Sequence, residues 1–555
     1  MIDETHHEYN LDAICERLGI PGKDETLLRE AALAYGFNPK DRKEVKRAIA
    51  HMPARYCGPY AEQDAVATLT ADEMQRPELL AQGLLNAYQL EMDLIPLTVA
   101  MRRRGIRVDL DQVQENIDKL YAMRDEALDE LARRHGGRRL TIEDIREQKW
   151  LLNAFAVEGV EYASEDGNAS FGKEWMRQGY LGRYEEGREG HWLPLLIARA
   201  KQCHEAASKF LDGYILQFAH RGRIHASINQ FKTDDGGTRT HRFSYADPPL
   251  QQMPSRGEAL IKSWTLTSDI VKLIRVCFLP ESGEKWFSPD YSQQEYRLMV
   301  HYAAVLGLTK ADWAAEKYVR DPNTDFHNMV VEMTGLIRQR AKDCNFAKTY
   351  GAGIKKFAAM TGMAEDEAKR VMSQYDGEMP FISELNQYCE KRAQKRGYIV
   401  MLDGARMHFN TWECAKWIDI DEKRAANYNG FKTNDCNIDE ARERASTRGH
   451  PWFGKPLKRA NTRKAMNGLI QGGAARQCKE AMRDMFRAGY VPLLQMHDEV
   501  PNSIGREKDG KAIAEIMRNA FHGKIKFAVP FRVDEEYGCN WGDAKHAWKD
   551  AKRAA

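Results

Sequence analysis

Apolar residues recur at helical spacing through most of this chain, and alternating texture appears only in short stretches. Residues 1–95 read as a helical unit whose periodic pattern begins abruptly at Tyr9–Ile14. Residues 96–225 read as long amphipathic helices broken by a polar, glycine-bearing stretch at 163–170. From Gly222 onward the pattern shortens to strand-like runs at Arg223–Ile228 and Lys285–Ser288, and strand texture returns at Val491–Asn502; these pieces are expected to share one sheet. Between them, 301–400 is mostly helical and 410–460 is polar and rich in Asn, Lys and Arg. No fixed-period repeat or low-complexity tract interrupts the series.

Composition bounds this picture without naming a function. A chain of 555 residues exceeds what one core usually organises, so several domains are expected. Apolar residues at 43% and charged residues at 30% suit a soluble globular protein, and no run approaches the roughly 18 apolar residues of a membrane span. The start MIDETHHEYN lacks a secretory signal, so a cytoplasmic setting without membrane partners is expected. The ten cysteines form no CxxC pair and read as free thiols. A net charge of +2 is nearly neutral, so any polyanion partner must be met by local clusters, as at Arg102–Arg107, Arg338–Lys348 and Lys455–Lys464.

Three segments carry candidate chemistry. In Trp286–Arg297 a strand ends at Asp290 and a helix follows at once, placing a carboxylate where a cleft would hold a divalent cation. Ser292 and Glu295 also fit a helix-capping box, so an ordinary helix start is the alternative. In Leu493–Asn502, alternation puts Asp498 on one face with Leu494 and Met496; an acid there needs a cation partner or else caps a turn. In Arg338–Gly351, a helix advancing about 100° per residue aligns Arg338, Lys342, Phe346 and Tyr350 on one face, cations first and rings after. Cations suit a triphosphate and rings suit a base.

Taken in order, these segments resemble motifs A, B and C of family A DNA polymerases, the second following R-x3-K-x3-F-x3-Y-G at every specified position. Thr240–Ser244 and Asp247–Pro254 resemble the family's T-G-R-x-S and D-P-N-L-Q-N-I-P stretches, with His241 in place of Gly and Pro249 in place of Asn. Asp325–His327 and Arg463–Gly472 extend the resemblance, which runs from about Gln89 to the C-terminus. The implied fold is α+β: a right-hand polymerase with an antiparallel palm sheet and largely helical thumb and fingers, plus a partial RNase H-like exonuclease domain. The expected bounds are exonuclease remnant 1–95, thumb 96–235, palm 236–300 and 461–555, fingers 301–410, and a polar insert 411–460.

The resemblance implies primer extension on a DNA template by a two-metal mechanism, with Asp290, Tyr291 and Asp498 holding two Mg²⁺ ions, for which Mn²⁺ would substitute. Lys342 is implied as the group that meets the triphosphate and protonates pyrophosphate, with Glu499 assisting through water. Arg338 and His327 would clamp phosphate oxygens, and Gln293, Glu295, Phe346 and Tyr350 would complete the nucleotide site. Glu295 would obstruct a 2′-hydroxyl, and Phe346 would disfavour dideoxynucleotides. Arg242, Gln251, Arg463, Asn467, Gln471 and His497 match positions that touch the primer–template.

Tyr60 and Asp64 resemble the last exonuclease motif alone, so no proofreading is expected from this chain unless a separate polypeptide supplies the rest. A replisome helicase, primase or processivity factor is a further expected kind of partner. Motif A, DYSQQEYRLMVHY, looks closer to phage members than to bacterial ones. The rivals are a single-subunit RNA polymerase, which Glu295 disfavours, and a non-catalytic primer–template binding subunit, which the intact Asp290, Asp498 and Lys342 disfavour.

Overall fold

The computed structural model describes residues 2–554 except 7, 23, 136, 161–162, 166–167, 172–190, 234–236, 255–267, 350 and 416–435. The N-terminal unit packs short helices Leu11–Leu18, Thr26–Ala34 and Arg42–Ile49 beside the long helix Ala54–Ala81. Asn10 opens the first by accepting from the Ala13 amide, and Gly19 ends it in the left-handed conformation. Leu28, Ala32, Val45 and Ala48 form its small core.

Helix Leu85–Arg104 enters the main body by burying Leu90, Leu94, Leu97 and Met101, one stripe at helical spacing. It also brings in Glu91, whose carboxylate pairs with the fully buried Arg476 and with Lys479 at 2.7 Å. Arg476 in turn pairs with Asp403, so two acids and two bases balance one another in the interior.

Beyond Gly105 the chain forms a helical arm: Leu110–Arg134 runs out, and Trp192–Glu205 returns and continues as a π-helical stretch over Ala206–Leu216. The arm's far end has a core of its own, built on Leu131, Ile145, Phe155, Leu193 and Ile197. Its base is joined to the body by a four-stranded antiparallel sheet ordered 219–220, 223–224, 106–108, 278–279. The polar interruption predicted at 163–170 is an antiparallel pair of short strands, Ala163–Glu165 and Asn168–Ser170.

Strand Lys285–Tyr291 is the centre of a second sheet, flanked by Asn502–Ile504 and Val533–Gly538, both antiparallel to it. Trp286 and Phe287, on opposite faces, are both fully buried, so the strand is covered on both sides. One sheet was expected to gather all the strand-like runs. Instead 223–224 joins the sheet at the base of the arm, and 227–229 pairs with 244–246. Helix Ala465–Arg487 lies against the helix that follows the central strand, Gln294–Val305. A lobe of helices, 311–320, 326–334, 338–349, 354–361, 365–378 and 380–396, stands beside it. No helix among the described residues is long and apolar enough to cross a membrane.

Candidate active site

The two aspartates meet because a strand end and a hairpin tip are hydrogen-bonded side by side. The Tyr291 amide donates to the Asp498 carbonyl at 3.3 Å, the Val500 amide donates to Pro289 at 3.0 Å, and Asp290 lies opposite Glu499. The Ser292 amide bonds Arg532 across the ladder, so Tyr291 occupies the alternate, non-hydrogen-bonded position opposite Val533. Its amide and carbonyl therefore both point away from that strand, toward Asp498. The Tyr291 ring is turned into the core, its hydroxyl donating to the Met517 carbonyl at 2.6 Å, which leaves only the carbonyl for a metal.

Asp498 is not on a continuous strand with Leu494 and Met496, as alternation predicted. Met496 and Glu499 exchange both backbone hydrogen bonds, closing a two-residue hairpin over His497 and Asp498, with His497 at φ +58°. The apolar face goes inward with Leu494 and Met496, while the tip carries Asp498 half-buried and His497 exposed. Burial pushes the Asp498 carboxyl up to about 6; a backbone hydrogen bond opposes this, while the charges of Glu295 and Glu499 push the same way. Asp290, Asp498 and the Tyr291 carbonyl are hard oxygen donors, the set that Mg²⁺ or Mn²⁺ takes, and a cation would offset the burial that disfavours the charged form of Asp498.

Glu499, expected to assist at the metal, is held by protein donors. It is buried opposite Asp290, its Oε1 accepting from the Ser288 hydroxyl at 2.6 Å and from the Trp541 indole at 3.2 Å.

The expected capping box is not formed. The helix after Asp290 starts from Gln293, which sits at φ +55° with no side-chain cap. Glu295 is therefore free of capping and instead accepts from the Arg242 guanidinium, both side chains partly buried. Gln293, expected at the nucleotide, accepts through Oε1 from the Phe326 amide at 2.9 Å and the Tyr318 hydroxyl at 3.3 Å, so only its NH₂ faces onward.

The third segment is the helix Arg338–Thr349. Arg338, Lys342 and Phe346 line its more open face, whereas Ala341, Cys344 and Asn345 are buried. The other two cations of that run are engaged elsewhere, Arg340 with Glu367 and Lys348 with Asp376. Tyr296, on the helix after Asp290, joins the segments: its ring stacks on Phe326 at 4.8 Å and meets His327 at 5.1 Å and Phe346 at 6.5 Å edge-on. His327 is buried and its Nδ1 accepts from the Asn345 amide at 2.9 Å, so Nε2 carries the proton. Arg338 pairs with Asp325 at 2.5 Å while remaining largely exposed. Tyr350 lies outside the described residues.

Among the remaining candidates, Gln251 donates to the Gln495 carbonyl at 2.8 Å and so braces the hairpin strand. Arg463 is exposed, while Asn467 and Gln471 are half-buried along the same long helix. His241, standing where the resembled motif has Gly, keeps the left-handed backbone at φ +60°; its Nε2 hydrogen-bonds the Arg406 carbonyl at 3.1 Å. Tyr60 and Asp64 lie on Ala54–Ala81, Tyr60 against the N-terminal core. Among the described residues the one cluster of three groups with metal-ligand reach is Asp3, Glu4 and His408. Its carboxylates are already bonded, Asp3 to Thr5 and Asn410 and Glu4 to the His408 amide and ring, so it clamps the N-terminal segment to strand 406–408. Sequence reasoning missed Ser288, Trp541, Tyr296 and Asn345, which orient the site from behind.

A family model described as DNA polymerase family A matches residues 180–543. A DNA-directed DNA polymerase of Pseudomonas phage M6 is 30% identical, the alignment covering 98% of this chain and 78% of that one. DNA polymerase DpoZ of Vibrio phage phiVC8 is 25% identical over 97% of this chain and 79% of its own. The POL domain of Pol1 from M. smegmatis, solved in complex with DNA primer-template and dNTP, shares the fold with a TM-score of 0.67 at 20% identity, covering 98% of this chain and 81% of that one.

Proposed function

Because the chain belongs to DNA polymerase family A, as a DNA-directed DNA polymerase of phage type, we propose that it extends a primer 3′ end with deoxynucleotides by a two-metal mechanism in phage genome replication. The observation that carries this reading is the backbone pairing that sets Asp290 beside Asp498, with the Tyr291 carbonyl facing the same space. Those three groups would hold two Mg²⁺ ions, which would supply Lewis-acid activation of the primer hydroxyl and charge neutralisation of the leaving pyrophosphate.

The chain's own residues then divide the work. Lys342 meets the triphosphate and protonates pyrophosphate. Arg338 exchanges Asp325 for a phosphate, and neutral His327 donates through Nε2. Glu295 underlies the sugar and Phe346 the nucleotide ring side, with Gln293 at the edge of the pocket. Arg242, Gln251, Arg463, Asn467, Gln471 and His497 track the primer–template near its end, testing pair geometry through the minor groove. The sheet around Lys285–Tyr291 with 461–555 acts as palm, 301–410 as fingers and 96–235 as thumb. The complex of the M. smegmatis relative with primer-template and dNTP supports both ligands.

The deciding experiment is primer extension with Mg²⁺, comparing the wild type with Asp498→Asn. The asparagine is isosteric, so folding is expected to persist while extension falls by orders of magnitude, as when a charged ligand at a reacting centre is lost. Extension at the wild-type rate would refute the assignment, and equal use of ribonucleotides by the wild type would favour the RNA polymerase rival.

A further inference from the structure

The polar stretch 411–460 is not a featureless loop where it is described. Strands Trp412–Cys414 and Leu457–Arg459 pair antiparallel, and helix Ile438–Ser446 packs on them around Cys436, Ala441 and Trp452. Arg459 fixes the module to the body: its guanidinium donates to the Phe409 carbonyl at 2.9 Å and stacks over Trp412 at 4.7 Å, while Gln394 holds its backbone from both sides. The module is therefore rigidly placed at the start of helix Ala465–Arg487.

Its surface charge is lopsided, since residues 437–464 carry eight Lys and Arg against three Asp and Glu. Arg442 and Arg444 pair with helix acids, Lys458 pairs with Glu413, and Arg459 is used as described. Arg448, Lys455, Arg463 and Lys464 have no carboxylate within 4.0 Å among the described residues. Three successive tight turns, Thr447–His450, His450–Phe453 and Trp452–Lys455, fold the segment into a knuckle that presents Phe453 at 46% exposure between Arg448 and Lys455. An exposed ring between cations is what single-stranded nucleic acid requires: the cations hold phosphates and the ring stacks a base. A duplex offers phosphates but no free base face, so the ring selects the unpaired strand.

We propose that this knuckle binds the single-stranded template ahead of the primer end. Cys478, whose thiol contacts the His497 carbonyl at the catalytic hairpin, is thirteen residues from Ala465 on the same helix. At 1.5 Å per residue the start of that helix, where the module is anchored, lies about 20 Å from the hairpin, the span of about six nucleotides of one strand. This rests on the chain being a template-directed polymerase, and the test separates the two claims.

Binding and extension are measured for wild type, Arg448→Glu with Lys455→Glu, and Phe453→Ala, on primer–templates with 5′ overhangs of about two and about twelve nucleotides. On the short overhang all three proteins are expected to bind and extend alike, which also shows that the variants fold and that the polymerase reading stands. On the long overhang the wild type is expected to gain affinity and both variants to lose that gain. Phe453→Ala would lose at least about fivefold, the low end of base–aromatic stacking. The charge reversal would reduce the slope of log affinity against log salt by at least about 1.4, two single-strand phosphate contacts. Equal affinity of all three proteins on the long overhang would overturn the inference, as would a defect that grows with duplex length and not with overhang.

Discussion

Glu499 shows how one residue's address decides its role. It stands next to Asp498 in the chain and opposite Asp290 on the neighbouring strand, yet its Oε1 is taken up by Ser288 and Trp541. A buried acceptor serving two donors is costly to delete, because both donors lose their partner at about 1–3 kcal/mol each. Glu499→Ala is therefore expected to lower stability by roughly 2–5 kcal/mol, whereas Glu499→Gln keeps an acceptor and is expected to stay within about 1 kcal/mol of wild type. Denaturant melts of the two variants decide this, and an alanine variant as stable as the glutamine one would show that these two hydrogen bonds do not hold the site together. The reason sequence could not assign Glu499 is plain: its partners are 211 positions upstream and 42 downstream. His241 was equally opaque, since a residue with a Cβ replaces Gly in a left-handed position, strained by roughly 1–2 kcal/mol. Only the fold reveals the burial and the bond to Arg406 that offset it.

At the scale of elements, a strand followed at once by a helix was readable at Trp286–Arg297, because alternation and helical spacing change sharply at Asp290. The Met496–Glu499 hairpin was not, because its turn carries His-Asp and no glycine, and one reversal shifts every later side chain to the other face. The runs at 223–228 were recognised as strands but given the wrong partners, since pairing over long separations leaves no local mark. Helix Gln294–Val305 also carries a pH-dependent joint. His301 is buried against Phe527, its Nδ1 accepts from the Ala528 amide at 3.2 Å, and burial pushes its pKa from the usual 6.5 down to about 4. The unfolded chain therefore binds a proton below pH 6.5 that the folded chain refuses until about pH 4. Stability from this group is complete above pH 6.5 and declines as pH falls, by about 2 kcal/mol between pH 7 and 5. His301→Asn keeps an acceptor for Ala528 without titrating in this range, so the loss of stability from pH 7 to 5 is expected to shrink by about that amount. An unchanged pH slope would show that the imidazole is not the cause.

At the scale of the whole molecule, the helical arm has two cores with different allegiances. Val113, Ile117 and Leu120 on the outgoing helix, with Phe210 and Leu211 on the return, pack with Trp286, Leu493 and Leu494 under the Met496–Glu499 hairpin. Farther out, Leu128 and Leu131 pack with Phe155, Leu193 and Ile197 in a cluster that shares no residue with the first. The two helices stay close enough at the division for the charge of Glu126 to act on Arg199. Sequence announced the long helices but not this division, because both stretches show the same apolar spacing and only partner identity separates them. A replacement of residues 128–198 by a short glycine–serine turn removes one core whole and leaves the other intact, so the rest of the chain is expected to fold. If the arm acts as the thumb, the shortened protein should add a single nucleotide at saturating primer–template at close to the wild-type rate, while its affinity for the duplex falls by roughly tenfold or more through lost phosphate contacts. Single-turnover incorporation beside a DNA titration separates these quantities. A loss of incorporation that saturating DNA does not restore, in a protein with an unchanged melt of the main body, would mean that the distal arm positions the catalytic hairpin through the shared helices rather than gripping DNA.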